Sequence, residues 1–294
     1  MIGQRLHFRE EAHTCPLGME PNEEQRAQFA ASLRNRHFVG DAFKDELFNT
    51  DNNDREKACA WKIQSTSALF SPLTSGCMWL WRAVGLPLHL IDRSLEGDID
   101  LMFALRGGPK QRDGQFIFPE ATYRCFELKT SKVTRTGEVK SLKEGKFHKT
   151  RAQLEKLCAI GAPQVFLLEA FIVEAGFTVS DFNMPNAVRN CSGRKYNQIM
   201  RADYGYVALA IEQIRGFSEA DTGLLWPVET IKVAKSTPLM APFSNFVSMI
   251  EAYATTAGAR GYGQVVTYCH QCESLTWTHH KEPYVCRGCG APLI

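Results

Sequence analysis

Two groups of residues in this chain have the types and the spacing for metal chemistry. The first is Gly97-Asp-Ile-Asp-Leu101 together with Phe126-Glu-Leu-Lys-Thr130. In an extended strand, residues i and i+2 share a face. Glu127 and Lys129 therefore project together, Phe126 and Leu128 point into the core, and Asp98 and Asp100 share the polar face of their own strand. Antiparallel pairing of the two segments would gather carboxylates and an ammonium at one sheet edge. Hard divalent cations such as Mg²⁺ or Mn²⁺ take oxygen ligands, and Asp100, Glu127 and the Leu128 carbonyl would supply them. Such a cation stabilises charge on a scissile phosphate and activates water. Lys129 would orient that water or stabilise the developing charge. Without a cation the carboxylates repel each other. Asp100 is preferred to Asp98 because apolar residues follow it directly, but the choice stays open.

The second group is Cys269-His-Gln-Cys272 and Cys286-Arg-Gly-Cys289, separated by thirteen residues. Each C-x-x-C knuckle brings two thiolates to one Zn²⁺ at ~2.3 Å, and two knuckles complete a tetrahedron. Four thiolates predict a closed, structural site, with His270, His279 and His280 as surface residues. The segment resembles a zinc ribbon, with strands expected at Leu275–Thr278 and Pro283–Val285. So short a module cannot build an apolar core by itself, so the metal must hold it together. Ribbons contact nucleic acid or another protein, and Trp277, Tyr268 and Tyr284 are candidates to stack on bases. Packing against the ribbon is expected for at least two of them. The six scattered cysteines (Cys15, Cys59, Cys77, Cys125, Cys158, Cys191) read as buried thiols.

The elements around the acidic group read as mixed α/β. Helical patterns fall in the first 60 residues, as at Glu23–Arg36. Leu86–Ile91 reads as a strand. Leu95–Leu105 alternates, with Ile99, Leu101 and Phe103 on one face and Asp98, Asp100 and Met102 on the other. A turn-rich loop follows at Gly107–Gln115, then an alternating strand at Thr122–Thr130. His148–Ile160 reads as a helix with Leu154, Leu157 and Cys158 on its apolar side, and Gln164–Val173 as a buried strand. Asn183–Asn197 reads as a loop. Ser244–Ala254 reads as a helix with Phe246, Met249, Ile250 and Tyr253 inward. Thr255–Gly263 reads as a linker.

Composition sets outer bounds. With 34 Lys and Arg against 32 Asp and Glu, the net charge is only +2, which argues against a globally basic nucleic-acid coat protein. At 44% hydrophobic residues the chain has ample apolar material for a core. No apolar run is long enough to span a membrane, and the first residues have no signal-peptide h-region. A cytoplasmic protein is expected, in a reducing compartment that disfavours disulfides. Neither an internal repeat nor a low-complexity tract is evident.

The GDID strand, the E-x-K strand and the helix–strand unit after them resemble the PD-(D/E)XK nuclease superfamily over about Thr66–Val173. Gly-Asp-Ile-Asp stands where that family has Pro-Asp. The resemblance implies a restriction-endonuclease-like mixed sheet flanked by helices. With the helical patterns before it and the cysteine spacing after it, the chain divides into a mainly helical extension over 1–65, a nuclease-like domain with a C-terminal elaboration over 66–255 and the ribbon over 264–294. It implies an Mg²⁺-dependent phosphodiesterase acting on DNA, with Asp100, Glu127 and Lys129 catalytic. Gln153 or Lys149 would reach back from the following helix toward the metal. Phage defence, mobile-element and repair roles all share this core. Between Lys129 and Arg151 eight Lys and Arg face two Glu, a concentration of positive charge suited to phosphates. Lys132, Lys146, Lys149 and Arg151 are the candidate contacts, on or beside a flexible loop at Ser131–Gly145. A catalytically inactive binding or assembly protein, and an RNA nuclease, are the alternatives. Oligomeric state stays open.

Overall fold

The computed structural model describes residues 52–65, 73–74, 77–117, 119–133, 139–140, 144–173, 204–212, 224–227, 233–256 and 264–279, with 286, 288–291 and 293. The readings at Glu23–Arg36, Asn183–Asn197, Pro283–Val285, Cys15, Cys191 and Tyr284 lie outside these residues, as do the side chains of Lys132 and Lys146.

The chain is mixed α/β. Helix α1 (Asn52–Ser65) precedes strands β1 (Met78–Pro87) and β2 (Asp98–Arg106), a small hairpin of β3 (Lys110–Arg112) and β4 (Gln115–Ile117), and strand β5 (Thr122–Val133). Then come β6 (Val139–Lys140), α2 (Glu144–Ala159), β7 (Gln164–Val173), β8 (Gly205–Glu212), β9 (Leu224–Pro227), α3 (Ala241–Thr256), β10 (Gln264–Cys269) and β11 (Ser274–His279). Among the described residues, nine strands form one mixed sheet in the order β11-β10-β1-β2-β5-β7-β8-β9, with β6 paired to β5. Strands β1, β2 and β5 are antiparallel neighbours, while β5, β7 and β8 run parallel. The parallel step from β5 to β7 needs a crossover, and α2 provides it.

Each face of the sheet has its own core. On one side α1 contributes Cys59, Ala60, Trp61 and Ile63 against Leu101, Phe103, Phe126, Phe166 and Leu168. Trp61 is fully buried, and burying such a ring contributes at least about 3 kcal/mol. On the other side α2 and α3 contribute Leu154, Leu157, Phe243, Phe246, Val247 and Ile250 against Cys125, Leu167, Tyr206 and Ala208. β7 is buried along Val165–Ile172, as expected of a strand covered on both faces. Helix α2 ends in a Schellman turn, with Ala162 N–H on the Leu157 carbonyl and Gly161 N–H on that of Cys158. Gly161 sits at φ +89, and a Cβ there would collide with Met240 at the entry to α3. Among the described residues no helix is long and apolar enough to cross a membrane.

Several expectations change. The strand expected at Leu86–Ile91 is the end of β1 followed by a 3₁₀ turn at Leu88–Leu90. The loop at Gly107–Gln115 contains the β3–β4 hairpin. Ser131–Gly145 is not one loop: β5 runs to Val133, β6 returns beside it, and α2 starts at Glu144. Cys158 is exposed, while Cys59 and Cys125 are buried and Cys77 is partly so. In α3 Met249 faces solvent, and Phe243 and Val247 fill the inner side with Phe246 and Ile250.

The face assignment of β2 also fails, for a local reason. Met102 is fully buried, and Ile99 and Leu101 belong to opposite cores. The same inversion separates Val84 from Leu86 on β1, which pair with Leu101 and Ile99. Between them Gly85 takes φ +59, a conformation costly to any side-chain-bearing residue. The turn of the backbone at Gly85, opposite Asp100, switches which residues face which core.

Candidate metal centres

Beyond the Leu101↔Phe126 pair, β2 and β5 part. The Leu128 N–H would have continued the ladder, but instead it donates to Asp100 Oδ2 at 2.6 Å. Asp100 thus sits half-buried between the strands, while Asp98 is exposed. Glu127 is 2% exposed. Lys129 donates to Glu127 Oε1 at 2.6 Å and to the Leu128 carbonyl at 2.9 Å, and its Nζ lies 3.5 Å from Glu56 Oε2 on α1. The structure therefore brings Asp100, Glu127 and Lys129 together.

The charges there are strained in a consistent direction. Burial raises Asp100 well above the usual carboxylate range, and the neighbouring Glu127 raises it further. Burial likewise raises Glu127, against a smaller opposing pull from Lys129. Burial alone would lower Lys129, but Asp100, Glu127 and Glu56 outweigh it and raise the ammonium above its ordinary value. One cation thus faces three carboxylates, two of which resist ionising.

Glu56 was missed in the sequence, because nothing local marks one helical Glu as facing a strand more than 70 positions away. Glu169 interrupts the apolar run of β7. It is buried, accepts hydrogen bonds from Ser131 Oγ (2.9 Å) and Tyr206 OH (2.7 Å), and pairs in register with Lys129. Gln153 is exposed on α2, and no described hydrogen bond joins it to Glu127 or Lys129. Lys149 is exposed. Arg151 is half-exposed and donates from Nε to Glu155 Oε1 at 2.9 Å.

The second centre is smaller and more local. Cys269 ends β10, Cys272 lies in the hairpin turn before β11, and Cys286 and Cys289 form the second knuckle. The four sulfurs lie within 4.8 Å of one another. Cys269–Cys289 and Cys272–Cys286 are 3.6 and 3.8 Å apart, too far for disulfides. A tetrahedron with ~2.3 Å metal–sulfur arms has edges of ~3.8 Å, so the cluster fits a structural metal such as zinc. Backbone N–H groups steady the sulfurs: Cys272 N–H faces Cys269 Sγ at 3.4 Å and Gly288 N–H faces Cys286 Sγ at 3.3 Å. The N–H groups of Cys289 and Gly288 hold Cys286 down at about 6, which favours the thiolate, the form that binds metal. The neighbouring thiols push Cys272 up to about 12.

The hairpin is not a detached appendage. β10 runs parallel to β1, pairing Arg82 with Val265 and Ala83 with Val266. Val265 enters one core, and Val266 and Trp277 the other. Trp277 stacks on Tyr253 of α3 at 5.9 Å and 3°, and Tyr268 is 8% exposed, so both rings pack rather than project. No protein-family model matches the chain, and neither curated proteins nor solved structures give a significant match.

Proposed function

We propose that the chain is a metal-dependent nuclease that hydrolyses phosphodiester bonds of DNA, with a restriction-endonuclease-like core and a C-terminal zinc ribbon. The observation that carries this reading is the meeting of Asp100, Glu127 and Lys129 where β2 and β5 part. The element order also supports it: helix, three antiparallel strands, crossover helix, parallel strand.

The donor set fits a hard divalent cation. Asp100, Glu127 and the Leu128 carbonyl offer oxygens alone, and the raised carboxylates mark a site short of positive charge. Mg²⁺ or Mn²⁺ bound there supplies charge stabilisation at the phosphate and an activated water. Asp100 and Glu127 would hold it. The Leu128 N–H fixes the orientation of the Asp100 carboxylate. Lys129 keeps its proton beside three carboxylates and is placed to donate to phosphate oxygens as their charge grows. Glu56 anchors that ammonium from α1. The exposed Lys149 and Arg151, within the basic run after β5, suit backbone phosphates.

The test is incubation of the purified chain with plasmid, linear and single-stranded DNA and with RNA, in Mg²⁺, Mn²⁺ or EDTA. DNA cleavage in either metal, absent in EDTA and lost in Glu127→Ala and Lys129→Ala, is the expected outcome. Cleavage surviving both substitutions removes this site. Melting gives a second readout: Mg²⁺ should raise the Tm of the wild-type chain by mass action, and that of Glu127→Ala by much less.

A further inference from the structure

A cavity of about 370 Å³ opens between the acidic cluster and the first cysteine knuckle. It is lined by Asp98 and Asp100 of β2, Gly85 of β1, Lys57 and Trp61 of α1, and Tyr268, Cys269, His270 and Gln271 of the knuckle hairpin, which lies across β1 from β2. The cavity exists because β10 pairs parallel to β1, which sets the knuckle beside the end of β2. Its walls therefore come from both metal centres.

Its chemistry is graded across this width. Asp98 and Asp100 supply negative charge at one end, and Lys57 is an exposed cation on the helix. Opposite them, His270 and Gln271 are exposed. The His270 ring meets Tyr268 edge-on (5.2 Å, 77°), and Tyr268 in turn meets His89 edge-on (5.4 Å, 83°). The exposed His270 ring, held edge-on against the packed Tyr268, is a platform for a base, and a glutamine amide donates and accepts along a base edge. Small-ligand pockets run from roughly 300 to 1,000 Å³, so at about 370 Å³ this one matches a single nucleotide-sized group.

We propose that this cavity seats one unpaired nucleotide of the substrate strand, next to the phosphate held at Asp100. The first cysteine knuckle, through His270 and Gln271, is then a specificity element of the site. This rests on the nuclease reading and adds a substrate class to it: strands that are single, frayed or distorted at the cut, rather than intact duplex. Enzymes that extrude a nucleotide gain selectivity the same way, because an already unpaired base costs less to seat.

The experiment compares the wild-type chain with His270→Ala/Gln271→Ala and with Lys57→Glu, none of which alters a cysteine or a proposed catalytic residue. Zinc content confirms that the knuckle persists. With single-stranded oligonucleotide and with matched duplex, the double variant should raise KM for the single strand about tenfold while kcat changes less than threefold. The preference for single strand over duplex should shrink with it. Unchanged KM and unchanged preference at full zinc content would overturn the inference and leave the nuclease reading intact. Fluorescence anisotropy of a labelled single-stranded oligonucleotide without added Mg²⁺ or Mn²⁺ and without chelator, at full zinc content, separates the two further. If the wild type cleaves nothing yet binds the oligonucleotide, and both variants bind it about tenfold more weakly, the cavity assignment stands without the nuclease. Equal binding by all three chains, or none by the wild type, refutes it.

Discussion

The acidic cluster and the cysteine cluster both crowd like charges together, and they do it by opposite means. The four thiols come from two knuckles within 21 residues, and backbone N–H groups of the knuckles steady the sulfurs. The acidic cluster draws on α1, β2 and β5, and it exists only because β2 and β5 hold their register as far as Leu101↔Phe126 and then part. A thiolate knuckle of this kind would be assembled by its metal. The acidic cluster is assembled by the sheet, before any cation. The first should collapse when its ion is withdrawn, and the second should keep its shape.

The substitution expected to matter most to activity is Asp100→Asn. It keeps an oxygen for the Leu128 N–H but loses a charged ligand, so cleavage should fall by about 10³-fold or more. Zinc content should stay at its wild-type level, measured by absorption spectrometry. A parallel loss of zinc would mean that the two centres are one structural unit. Next in size is Cys286→Ser, which should empty the cysteine site, lower Tm and speed hydrogen exchange along β10 and β11. The Mg²⁺-induced rise in Tm should survive it, and its disappearance would break the contrast between sheet-built and metal-built sites. Gly85→Ala is smaller. Its Cβ meets nothing within 4 Å, so the cost is that of a positive φ, about 1–2 kcal/mol by denaturant titration. Because the same residue sets the faces on which Asp100 sits, cleavage should fall by more than that stability loss explains. The smallest is Arg151→Ala. An exposed i,i+4 pair with Glu155 contributes ~0.3–0.5 kcal/mol, so stability should hardly move, while the salt slope of DNA binding should flatten by about one unit.

How far each centre was legible follows from the same contrast. C-x₂-C-x₁₃-C-x₂-C encodes its geometry in local spacing. The E-x-K strand was legible because strand alternation alone puts Glu127 and Lys129 on one face. Alternation misled on β2 at Ile99, which it grouped with Leu101, and it did not show that the face carrying Met102 is also covered. A single glycine reversed the pattern on the neighbouring strand, and no count along β2 contains Gly85. Glu56 and the β1–β10 pairing were illegible because both depend on contacts between segments far apart in sequence. In α3, helical spacing alone did not distinguish Met249 from Val247, since both lie near the edge of the apolar stripe and the neighbouring layer decides which is covered.

The hairpin has one more role, as the cover of β1. At the far margin of the sheet, β9 is blunted by Pro227, which has no amide hydrogen to offer. Nothing comparable protects β1, ten residues long and carrying Trp79 and Trp81. Among the described residues, β10 and β11 are what stand between its hydrogen-bonding groups and other chains. If a metal holds the knuckles, withdrawing it would uncover an adhesive border, and metal-starved protein should clump by strand addition instead of persisting as a trimmed monomer.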